Sequence, residues 1–170
     1  MQDNNDAETY ERHQYGSDRP AYLASHKSLA ACQRELTRLT TALTAQVQAI
    51  ADRDGHTATI RRSPDRCILQ LGPVALTVAW LKSAMDSVAE GQLLIVVWSG
   101  TIAARGKYSP ERPAKPATST ASVIWQDTLA ADAEEEGKWA WRSEASGTVS
   151  TDELAKRAVD LLQEALSKSI

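Results

Sequence analysis

The chain has 170 residues, of which 42% are apolar and 24% charged, an ordinary balance for one globular domain with a sizeable core. Its 19 basic and 22 acidic side chains leave a net charge of −3, which argues against a strongly basic nucleic-acid coat protein. No apolar run has the length of a membrane span, and the polar start has no secretory pattern. The two cysteines, Cys32 and Cys67, are too few for a disulfide scaffold, so a reducing, cytoplasmic setting is expected.

Residues 1–24 are rich in Asp, Asn, Glu and Gln and read as a flexible polar tail, with Tyr10, Tyr15 and Tyr22 as its only aromatic groups. Residues 25–170 read as a single α+β domain. From about Ser25 an apolar heptad, Leu29, Leu36, Leu43 and Ile50, predicts a helix that Gly55 stops. Its length of about 26 residues corresponds to roughly 40 Å. The heptad allows a coiled-coil dimer, but Cys32 and Gln46 at seam positions favour a helix lying on a sheet.

Beyond Gly55 the period changes to two. Strands are expected over 56–62 and 67–71, joined by the Ser63-Pro64-Asp65-Arg66 turn. A third, 74–81, alternates cleanly: Val74, Leu76, Val78 and Trp80 against Ala75, Thr77 and Ala79. After a connection with one helical turn, residues 92–104 are apolar on both faces, the mark of a central strand. Pro110, Pro113 and Pro116 make 105–120 a loop. Strands resume over 121–129 and 138–142, linked by an acidic turn from Asp132 to Gly137, and Ser146-Gly147 ends the sheet.

A last helix opens on the Ser150-x-x-Glu153 capping box and carries an apolar stripe of Leu154, Ala158, Leu161, Leu162 and Ala165. Asp152 with Lys156, and Glu153 with Arg157, have the spacing of helix-surface ion pairs. The expected fold is an antiparallel meander of about six strands with both helices on one face. In layout alone, with no motif to carry it, this outline resembles the small acidic helix-and-sheet chaperones of bacterial secretion systems.

No catalytic constellation stands out. His13, His26 and His56 lack metal-ligand spacing, and Cys32 reads as a small core residue. The acidic run Asp132, Glu134, Glu135 and Glu136 lacks the alternation of a calcium loop and reads as a solvated turn. No glycine-rich phosphate cradle and no nucleophile elbow occurs, so neither cofactor nor metal is expected.

What remains is surface. All five tryptophans, Trp80, Trp98, Trp125, Trp139 and Trp141, fall in strands, and aromatic rings are enriched at interfaces. Residues 56–119 carry 8 basic and 4 acidic side chains, whereas 120–170 carry 5 and 10. Arg105, Lys107, Arg112 and Lys115, with Tyr108 among them, place part of that basic charge in the Pro-rich loop; Arg61, Arg62 and Arg66 add more.

Two helices shield one face of such a sheet, while residues 93–98 are apolar towards both. The expected function is therefore a non-enzymatic protein-protein interaction module, an adaptor, chaperone-like factor or accessory subunit, with an apolar sheet face or the long helix as interface. Its partner is another protein or a second copy. The alternative is a small-molecule binder or enzyme with a Trp-lined pocket between sheet and helices. Nucleic acid binding through the basic middle is the third and weakest reading.

Overall fold

The computed structural model describes residues 20–102, 121–135 and 137–169. The fold is α+β, with a seven-stranded antiparallel meander and one long helix at each end of the described chain. Helix α1 is His26–Asp54, and the strands are β1 Ala58–Ser63, β2 Arg66–Leu71, β3 Val74–Leu81, β4 Gln92–Ser99, β5 Ser122–Ala133, β6 Trp139–Ser143 and β7 Gly147–Val149. Helix α2 is Thr151–Lys168, and a 3₁₀ turn, Val88–Glu90, sits between β3 and β4.

The helix ends follow from local chemistry. The Ser25 hydroxyl accepts from the Ser28 N–H at 3.3 Å and starts α1. Gly55, at φ +71°, takes the left-handed conformation that ends it. At α2 the capping box is complete: Glu153 N–H donates to Ser150 Oγ at 3.2 Å, and Ser150 N–H donates to Glu153 Oε2 at 3.0 Å. The Asp152 carboxylate receives Arg38 of α1 at 2.6 Å, so it serves the helix-helix junction.

Both helices pack on the same sheet face, α1 over β1 and β2, α2 over β3, β4 and β6, and they touch each other. The α1 heptad supplies this contact: Leu36, Leu39, Leu43, Val47 and Ile50 are buried in the core. Facing them are Leu69, Leu76, Ile95, Val97, Leu129 and Trp141. The Trp141 indole N–H donates to Thr151 Oγ1 at 3.1 Å, and that hydroxyl donates to the Glu35 carboxylate, which links β6 to both helices. Gly91 lies against the Trp80 ring so closely that a Cβ there would stand 2.2 Å from a ring carbon.

The sheet differs from expectation at its far end. Strand β5 continues to Ala133, because Ala131 and Ala133 pair with Trp141 and Trp139. Ser146-Gly147 does not end the sheet; it turns the chain into β7, a short seventh strand paired with β6. The expected loop 105–120 and the tail residues 1–19 lie outside the described residues, while Leu23 joins the core. No helix among the described residues is long and apolar enough to cross a membrane.

Candidate functional site

Strand register divides the sheet into an inner face, under the helices, and an outer face. Val74, Leu76, Val78 and Trp80 of β3 stand opposite Ser99, Val97, Ile95 and Leu93 of β4, which fixes the inner face across both strands. Through β5 and β6 the same face carries Trp125, Trp139 and Trp141. Trp80 and Trp141 are buried there, 6.0 Å apart in an edge-to-face contact, and Trp139 meets Trp141 at 5.5 Å. Trp125 and Trp139 are half-buried against the same core.

Trp98 alone lies on the outer face. Its indole N–H donates to Thr77 Oγ1 on β3 at 3.0 Å. Around it the register places Ile68 of β2, Leu94 and Val96 of β4, and Val123 of β5. A register shift between Val97 and Trp98 puts Trp125 opposite Val97 but Val123 opposite Trp98. The extra residue, Ile124, is a β-bulge, so the two-residue alternation breaks there and Val123 turns outward. Val123 and Ile124 are 48% and 49% exposed. Elsewhere on this face Ala75, Ala79 and Val96 are buried, and Ile68, Leu94 and Trp98 are half-buried.

The outer face is also charged at its margins. Arg61 and Arg66 flank it on β1 and β2, and Arg142 lies with Asp132 on the β5–β6 side. Near its edge at Gly100 the Gln70 amide donates to the carbonyls of Gly72, Val74 and Gly100, and its oxygen accepts from the Ile102 N–H at 2.9 Å. That network satisfies a buried amide and fixes the end of β4.

Among the described residues, two of the cavities that border the sheet have the larger volumes. One, of about 480 Å³, opens between α1 and the β1–β2 turn, with Leu29, Cys32, Leu36 and Trp80 inside and Asp65 and Lys82 at its rim. The other, of about 660 Å³, lies where β6 leaves β5, among Gln126, Asp127, Thr128, Arg142 and Glu144. There the Asp127 carboxylate accepts from Ser143 Oγ at 2.8 Å, Ser146 Oγ at 3.3 Å and the Thr128 N–H at 2.8 Å.

The thiols are in their neutral form at ordinary pH. Burial, with the Glu35 carboxylate nearby, pushes Cys32 up to about 12. Burial also raises Cys67, against the opposing pull of Arg62 and the Thr44 hydroxyl. Neither has the depressed pKa of an activated nucleophile. No group of three or more His, Cys, Asp or Glu side chains converges in a metal-binding arrangement among the described residues.

The chain matches no family model, no curated protein and no solved structure. Residue placement therefore carries the functional reading. The five rings do not form one surface: four are on the helix side and Trp98 is opposite. Arg105, Lys107, Tyr108, Arg112 and Lys115 lie outside the described residues. The bulge that exposes Val123 and Ile124 leaves no mark in the sequence alternation, so the residues alone do not point to them.

Proposed function

We propose that this chain is a non-enzymatic protein-interaction module, of the adaptor, chaperone-like or accessory-subunit kind, and that its partner docks on the outer face of the sheet. The supporting observation is that half-buried Trp98 stands opposite Val123 on this face, with Ile124 at the adjoining bulge, and that both aliphatic residues are about half exposed. Aromatic anchors beside half-exposed aliphatic groups are what a docking surface needs at its centre. Arg61, Arg66 and Arg142 against Asp132 give its margins a positive excess, which suits a partner segment with apolar side chains and acidic flanks.

The test is parallel capture from native extract by the wild-type chain and by Trp98→Glu, after both are shown to keep the same circular dichroism. A captured species that disappears with the variant supports docking at Trp98. Identical capture by both chains contradicts it.

One observation favours a second reading. The cavity beside Trp80 and Cys32 has a volume within the range of small-ligand sites, about 300–1,000 Å³. Its apolar floor and the Lys82–Asp65 pair at its rim, 3.6 Å apart, suit a small amphipathic molecule. In that case an amphipathic compound raises the melting temperature by mass action, and Leu36→Trp, which fills the cavity, abolishes the rise.

A further inference from the structure

Several stretches of strand backbone have no strand partner among the described residues, residues 130–133 of β5 on the β4 side and 139–140 of β6 on the β7 side among them. The outer edge of β1 is another, and its sequence carries Arg61 and Arg62 beside each other. So is that of β7, only three residues long. Charge and shortness are among the usual ways of keeping a sheet edge from pairing.

The run over residues 122–128 of β5 is longer and not basic; its guards are the bulge at Ile124 and the single charge of Asp127. Strand β5 pairs with β4 along residues 122–129 and with β6 only along 129–133. Over residues 122–128, therefore, the β6 side of β5 is open among the described residues. Seven residues at about 3.3 Å each make an edge roughly 23 Å long. From Ser122 to Gln126 it is uncharged, and Val123 and Ile124 are about half exposed. At its inner end the Thr128 N–H is taken by the Asp127 carboxylate, a side chain standing in for the missing strand. Alternate residues of a strand turn their N–H groups to the same edge, which gives Gln126 the same open orientation as Thr128.

We propose that this edge pairs with the same edge of a second copy, antiparallel and across a twofold axis, joining two seven-stranded sheets into one. The occupant follows from three features. The run from Ser122 to Gln126 has no charge, so no like charges meet when it faces itself, and Asp127 is already held by Ser143, Ser146 and Thr128. The edges at β1 and β7 are guarded or short, so among the described residues the longest open run that a second copy offers is this same one. Contact between identical patches closes at two chains. Strand β6 blocks the edge from Leu129 onward and limits the incoming strand to a run as long as the one the second copy offers.

This inference rests on the interaction reading above, but uses the edge of the sheet where that reading uses its face. Sedimentation equilibrium of the full chain, from low to high micromolar concentration, separates them. The expected result is a mass rising from one chain to two. Ile124→Lys, which adds a guarding charge, and Gln126→Pro, which removes an N–H from the open edge, are expected to remain single at every concentration. Trp98→Glu is expected to dimerise like the wild type. A wild-type mass of one chain throughout overturns the edge pairing and leaves docking at Trp98 standing. Assembly beyond two chains, or a dimer that survives in both edge variants, also overturns it.

Discussion

The indole N–H of Trp98 donates to the hydroxyl of Thr77 across 3.0 Å, tying the outer-face tryptophan to the adjacent strand. An anchor held in one orientation before binding loses less freedom on binding. Thr77→Val removes the acceptor and keeps the shape. Because Trp98 is only half-buried, water replaces the lost partner, and a stability cost of about 1 kcal/mol or less is expected in urea titration. Trp98 emission shifts to the red, and partner capture weakens without disappearing.

The core counterpart behaves differently. Trp141 is fully buried and its N–H goes to Thr151. Thr151→Val leaves that N–H, and the Glu35 carboxylate, without the hydroxyl between them. The expected loss is about 1–3 kcal/mol, read from the denaturation midpoint. Ser150→Ala, which removes only the helix cap, is expected to cost about 1 kcal/mol.

Gly91→Ala tests the packing at Trp80. The new methyl would stand 2.2 Å from the ring, and that ring is held between the sheet and Trp141. Relief requires the ring or the 3₁₀ turn to move. A loss of about 1–3 kcal/mol is expected, with altered near-ultraviolet circular dichroism and unchanged helix content.

The alkaline side of the stability curve reports on Cys32. Its thiol ionises near 9 when exposed and only at about 12 in the fold, because burial disfavours the thiolate. The folded chain therefore keeps a proton that the unfolded chain releases, and stability contributed below about 9 is lost as pH rises towards 12. Cys32→Ala removes this contribution. Its urea midpoint is expected to fall less than that of the wild type between neutral and alkaline pH. Equal falls in both chains would exclude the effect.

Much of the architecture is legible in the residues. Ser25, Gly55 and the Ser150–Glu153 box mark helix ends by local hydrogen bonding, and the alternation from Val74 to Leu81 gives β3 its bounds. The run Ala130-Ala131-Asp132-Ala133 has weak strand propensity, so its pairing with β6 depends on tertiary context. Strand β7 is too short to leave a period.

The candidate site was less legible for a related reason. Alternation assigns faces within a strand, but the faces of different strands are matched only by register. One bulge at Ile124 is enough to send Val123 outward while Trp125 stays with the core.

Hydrogen exchange followed by mass spectrometry at low and high protein concentration tests most directly whether the molecule associates with itself along the β5 edge. The expected result is slower exchange at high concentration in the peptide spanning residues 122–128, with the buried ladder between β2 and β3 unchanged. Exchange over 122–128 that is the same at every concentration would contradict it.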